Sequence, residues 1–124
     1  MEWKPAVEVS RGGSKYAEYE SRVCVHINKR GEFLLSLAAY ESLGRPEYVQ
    51  IVADGNGRLG FRVGKKGVVS TYKCADPGGP VTRLAAKAVS KKYGLTENRT
   101  KTMTLYVSDN VLVLNLGQAP QYHD

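Results

Sequence analysis

The chain is poor in the side chains that carry metal or nucleophilic chemistry. Its 124 residues include 2 cysteines and 2 histidines. Cys24 and Cys74 cannot build a disulfide framework, and no CxxC pair marks a zinc site. Both read as reduced core thiols. His26 lies near Cys24 on one strand face, and His123 lies at the far end. A thiol–imidazole pair is one reading of Cys24 with His26; a plain polar strand face is the preferred one. No Ser/His/Asp or Cys/His pattern comes with supporting motifs. Gly64-Lys-Lys-Gly67 lacks the spacing of a phosphate-binding P-loop. Asp54-Gly-Asn-Gly57 lacks the further spaced oxygens of a calcium loop. No enzyme, no metal and no cofactor are therefore expected. No apolar run approaches the ~20 residues that span a bilayer, and MEWKPAVEVS has no signal-peptide apolar region. The expectation is no membrane association and a cytoplasmic location.

What is present is positive charge and turn chemistry. The apolar fraction is 42%, that of a globular chain, and the length fits one domain or two small halves on one core. The net charge is +6. Residues 1–64 carry 9 Lys/Arg against 8 Asp/Glu, whereas residues 65–124 carry 9 against 4. An anionic partner would meet mainly the second half. Eight tyrosines against two phenylalanines point to partly exposed aromatics.

Residues 1–20 read as a flexible N-terminal arm, with Trp3 and Tyr16 as residues that could pin it. Arg22–Asn28 alternates as a half-buried strand, with Val23, Val25 and Ile27 on one face. Lys29-Arg30-Gly31 is a turn, and Glu32–Leu35 a second strand. Ser36 is placed to cap a short helix in which Leu37, Tyr40 and Leu43 repeat at helical spacing. Gly44 and Pro46 end it. Tyr48–Ala53 and Leu59–Val63 form a hairpin across Asp54-Gly-Asn-Gly57. Val68–Cys74 is a further strand, and Asp76-Pro-Gly-Gly-Pro80 breaks the chain. Val81–Tyr93 presents Val81, Leu84, Ala85, Ala88, Val89 and Tyr93 on one helical face. Gly94 stops that predicted helix. Thr102–Ser108 and Val111–Leu116 close the chain as a hairpin turned at Asp109-Asn110.

Two halves, 21–64 and 65–117, thus share an order of strand, connection, helix, glycine stop and hairpin. They read as a single globular domain over 21–117, followed by a C-terminal tail at 118–124. Cys24/Cys74, Leu34/Leu84, Ala38/Ala88 and Gly44/Gly94 each lie 50 residues apart, as an internal duplication would place them.

Residues 22–63 resemble a swapped-hairpin barrel of the AbrB/MraZ/SpoVT class. The resemblance rests on the turn glycine Gly31, the helix-starting Ser36, the Leu43-Gly44 stop and the hairpin from Tyr48 to Val63. Residues 68–116 match as element order, a degenerate second copy. In that family two copies interlock into one barrel, so a chain with both copies would close the barrel alone. The resemblance implies an α+β fold, a small mostly-β barrel of two related strand-helix-hairpin halves, and a DNA-binding surface at the outward hairpin tip. Three of the family's DNA-supporting features differ here. Glu32 replaces a basic residue, Ser36 a proline, and Tyr40-Glu41 a pair of arginines.

The leading expectation is a non-enzymatic DNA-binding, transcription-regulator-like protein, monomeric or homodimeric. The alternative is a small protein-interaction module, of the kind a phage or mobile element encodes, that binds a host protein. The candidate nucleic-acid contacts fall into groups. Arg22, Lys29, Arg30 and Arg45 are the basic positions that remain for DNA contact in the first half after those three departures, with Asn28 a possible base reader at the tip. Arg83, Lys87 and Lys91 fall at i, i+4 and i+8 of the second predicted helix, flanked by Lys92. Lys65, Lys66 and Lys73 would continue that stripe along phosphates. A solvated helix face is the other reading of the stripe.

Overall fold

A computed structural model describes residues 16–123. Nine strands and two six-residue helices follow one another: β1 (Cys24–Ile27), β2 (Phe33–Ser36), α1 (Leu37–Ser42), β3 (Tyr48–Ala53), β4 (Arg58–Val63), β5 (Thr71–Lys73), β6 (Val81–Leu84), α2 (Lys87–Lys92), β7 (Thr100–Ser108), β8 (Val111–Asn115) and β9 (Gln121–His123). The fold is α+β, a small mostly-β and nearly closed barrel. All strand pairs are antiparallel, in the order β5-β3-β4-β8-β7-β1-β2-β6, with β9 added on β7. Ala75, just after β5, bridges to Arg83 on β6 through two 3.0 Å backbone hydrogen bonds. That bridge brings the two ends of the strand order together. Closure of this kind leaves few unpaired strand edges.

Alternation along the strands builds the core. Val25 and Ile27, Phe33 and Leu35, Val49 and Ile51, Leu59 and Phe61, and Leu112 and Leu114 all point inward and are buried. Phe33 and Phe61 meet edge to face, ring centres 5.5 Å apart, the arrangement their quadrupoles favour. Burying each such side chain stabilises the fold by roughly 1.5–3 kcal/mol. The hairpin turns use left-handed backbone where the sequence supplies residues that tolerate it. Asp109 and Asn110 both have positive φ, 49° and 63°, the pattern of a tight two-residue hairpin turn.

The structure departs from the sequence-based expectations at four places. Val81–Tyr93 is not one helix. Val81–Leu84 forms β6 and pairs with β2; only Lys87–Lys92 is helical. The strand expected over Val68–Cys74 shrinks to Thr71–Lys73. The outer face of β1 is buried rather than half-exposed, with Cys24 and His26 both fully covered. The cover comes from the chain ends. Residues 1–15 of the expected arm lie outside the described residues, but Ala17–Tyr19 form a 3-10 turn. Tyr16 and Tyr19 from this segment pack on His26, ring centres 4.3 Å and 5.1 Å away. From the other end, His123 of β9 packs on Tyr19 and shares the Thr102 hydroxyl with His26, at 2.6 Å and 2.7 Å. Part of the expected tail is thus a paired strand. His26 contacts tyrosines, a threonine and a second histidine there, and Cys24 carries a thiol raised above its usual range by burial.

Candidate nucleic-acid interface

The β1–β2 tip is a built loop, not a loose one. Asn28 accepts from the backbone N–H groups of Arg30 and Glu32 and donates its amide to the Glu32 carboxylate at 2.9 Å. Three hydrogen bonds of the Asn28 side chain thereby hold the turn. Lys29 and Arg30 remain exposed at the tip. Gly31 has φ +82°, and a Cβ there would lie 2.9 Å from Thr96 Oγ1 and 3.2 Å from Ser90 Oγ. Glycine is needed on both counts. The tip therefore sits directly against Ser90 of α2 and the loop behind it.

Glu32 organises the charges around the tip. Its side chain is only 5% exposed, and it pairs with Arg30 at 3.1 Å and with Arg83 at 3.4 Å. The Asn28 hydrogen bond, helped by the two guanidinium groups, holds its carboxyl below the usual carboxylate range despite burial. A single acid thus gathers two cations from opposite halves of the chain. The register that pairs Leu34 with Arg83 across β2 and β6 brings them together.

Of the predicted helical stripe, Lys87, Lys91 and Lys92 lie on α2 and are exposed. Arg83 does not; it is a β6 residue reaching to Glu32 and, more distantly, to Asp76 at 3.9 Å. The expected i, i+4, i+8 line is broken after Leu84, where β6 ends before α2 begins at Lys87. Lys92 stands over the Tyr93 ring at 5.6 Å. Lys92 and Ser70 line one small cavity of about 150 Å³, so the loop after β4 that carries exposed Lys65 and Lys66 borders α2. Lys73 is exposed on β5. Arg22 stacks its guanidinium over Tyr19 at 5.0 Å. Arg45 pairs with Glu41 at 2.7 Å, away from the tip on the link between α1 and β3.

Two features of this surface escaped the sequence reading. Arg99, exposed between α2 and β7, stacks over Tyr122 at 3.8 Å. Tyr16, Leu34 and Thr100 line a cleft beside the tip together with its charged residues. Arg99 could have been found by tallying the basic residues of the second half. The cleft could not, because it is assembled from four separate segments. Comparison with protein-family models, curated proteins and solved structures gives no match to this chain.

Proposed function

We propose that the protein is a non-enzymatic DNA-binding, transcription-regulator-like protein built as a tandem swapped-hairpin barrel. The strand pairings support the tandem reading. β2 pairs with β6 and β4 with β8, each strand with its positional counterpart. β1 pairs with β7 while β5 pairs with β3, a reciprocal exchange between halves. The β1–β2 pairing has its counterpart in the Ala75–Arg83 bridge.

The observation that carries the DNA reading is the seating of the hairpin tip on α2. It sets Lys29 and Arg30 beside the helix that bears Lys87, Lys91 and Lys92. Glu32, the acid that stands where the family has a base, is buried and paired rather than presented to solvent. Exposed lysines track phosphates and give affinity that falls steeply with salt; an exposed arginine at a ribbon tip can read a base edge. Fluorescence anisotropy with duplex DNA at two salt concentrations tests this. Binding that weakens steeply with salt supports it, and no binding tighter than about 100 micromolar at low salt sinks it.

A second reading has its own support. Val63, Val68 and Val69 are exposed around the loop after β4, Val69 to 80%. Such a patch suits a protein partner whose binding survives salt. This is the interaction-module function, with a host protein as partner.

A further inference from the structure

The cleft between the β1–β2 tip and β6 has a volume of about 450 Å³ and is lined by Tyr16, Lys29, Arg30, Leu34, Arg83 and Thr100, together with the hydrogen-bonded Asn28 and Glu32. We infer that this cleft seats one nucleoside monophosphate unit, with the phosphate monoester against Arg30 and Arg83 and the base against Tyr16 and Leu34. The site needs no duplex and goes beyond the function proposed above.

Three observations carry it. The first is convergence. Arg30 and Arg83 come from a loop and a strand in different halves, yet both reach the one Glu32 carboxylate, at 3.1 Å and 3.4 Å. A guanidinium has five N–H donors in a planar fork, and Glu32 engages a single nitrogen of each. Asp76 approaches Arg83 at 3.9 Å, but its side chain is 78% exposed and lies at the rim. Two forks gathered on one buried carboxylate bring planar donors together, the geometry that suits the oxygens of a phosphate.

The second is charge. Among the residues that line the cleft, Lys29, Arg30 and Arg83 against Glu32 leave two positive charges, Asp76 lying outside the lining. A phosphate monoester carries about −1.5 to −2 at pH 7, whereas a backbone diester carries one charge. The cleft therefore matches a terminal or free phosphate better than a chain-internal one. The third is the mixed lining. Tyr16, half-buried with its ring packed on His26, supplies an aromatic surface beside the cations, the kind on which a base can stack, and Leu34 adds only a small aliphatic patch, 6% exposed. The volume falls in the range of small-ligand sites, roughly 300–1,000 Å³.

One chemistry has two sources here, a free mononucleotide or the phosphorylated 5′ end of a strand. The test is an amide NMR titration of the full chain with deoxyadenosine 5′-monophosphate, with deoxyadenosine and with inorganic phosphate. The nucleotide should give saturable shifts at Arg30, Gly31, Leu34 and Thr100, and each fragment alone should bind about tenfold or more weakly. Arg83→Gln should weaken the nucleotide about tenfold or more. Arg83→Lys, which keeps the charge and loses the fork, should fall between. If Arg83→Gln does not fold, Arg30→Gln at the exposed tip asks the same question.

The proposal is overturned by no saturable shift up to about 10 millimolar nucleotide, by equal binding of deoxyadenosine, or by a folded Gln variant that binds like wild type. A short single strand with and without a 5′ phosphate separates the sources. A clear preference for the phosphorylated strand assigns the site to strand ends; equal binding of both, with the nucleotide still bound, assigns it to free nucleotide. Duplex anisotropy run alongside keeps the two readings apart. Loss of duplex binding with nucleotide binding intact removes only the duplex reading, and the reverse removes only this one.

Discussion

The two helices occupy the same place in their halves and are held in opposite ways. α1 spans Leu37–Ser42 and α2 Lys87–Lys92, six residues each and 50 residues apart. Ser36 caps α1. Its hydroxyl accepts from the backbone N–H groups of Ala39 and Cys24 and donates to the Arg22 carbonyl. One buried side chain thus ties the helix to the strand beneath it. Ala86 holds the corresponding position before α2 and offers no side-chain cap. What α2 has instead is three exposed lysines, two of them in its last turn, where positive charge is favoured by the helix dipole. α1 has its exposed acid, Glu41, paired with Arg45. The first half is fastened by hydrogen bonds, and the second half leaves its charge facing outward. Two halves that share one core can differ in this way, because either half can supply the bracing for both.

Removing the fastening should do the most damage. Ser36→Ala deletes three hydrogen bonds at a fully buried position and strands the Cys24 and Ala39 amides. The expected loss is roughly 2–4 kcal/mol, read as a shift in the urea midpoint at constant slope. A loss under about 0.5 kcal/mol would mean that the cap is as dispensable in the first half as it is in the second.

Breaking the link between the halves should cost less. Glu32→Gln keeps the shape but removes the charge that holds Arg30 and Arg83, for roughly 1.5–3 kcal/mol at neutral pH. Acid should imitate it. The Glu32 carboxyl titrates below its unfolded range because Asn28 and the two arginines favour the charged form. Its contribution is therefore fully present above the unfolded carboxylate range, and is lost as pH falls through the lower folded value. Wild type should lose stability over that window more than Glu32→Gln does. Parallel stability–pH curves for the two proteins would remove Glu32 from the account.

The contrast between the halves also marks what could be read in advance. The first half was legible because its signals are local: Ser36, Leu43-Gly44 and the Asp54–Gly57 turn each fix one boundary within a few residues. The second half misled at Val81–Tyr93. The inward-facing β6 residues are Thr82 and Leu84, each fully buried, and the polar Thr82 hid the two-residue alternation of the strand. Val81, Leu84, Ala85 and Ala88 then counterfeited a helical face. The fate of β1 was hidden for a different reason. Its outer face is covered by Tyr16, Tyr19 and His123, and chain ends that fold back leave no periodic trace. At the candidate site, the exposed cations could be listed from sequence. The pairing of Glu32 with Arg83, 51 residues away, needed the β2–β6 register.

A thiol comparison tests burial on the same footing. Cys24 and Cys74 are counterpart positions, both buried and free. Burial pushes Cys74 up to about 11, so little thiolate is present near neutral pH. Native labelling of either cysteine by a thiol reagent should be far slower than labelling in denaturant. Fast labelling of Cys74 alone would show that the second half opens separately from the first.

The smallest effect on stability belongs to the lysines of α2. Lys87 and Lys91 are exposed and form no ion pair among the described residues. Replacing both with Glu should change stability by no more than about 0.5 kcal/mol apart from a small dipole penalty in the last turn. The same change should weaken every duplex sequence about equally and lower the salt slope by roughly one or more units, because phosphate contacts carry no sequence information. Arg30→Ala gives the opposite signature if the tip reads bases, costing roughly 1–3 kcal/mol on a preferred site and much less on random DNA. Anisotropy on both DNAs at two salt concentrations, beside urea melts of the same samples, decides the matter. A double Glu variant with unchanged DNA affinity would return α2 to the status of a solvated face. The difference between the two helices would then concern how each is held, and nothing about what either one meets.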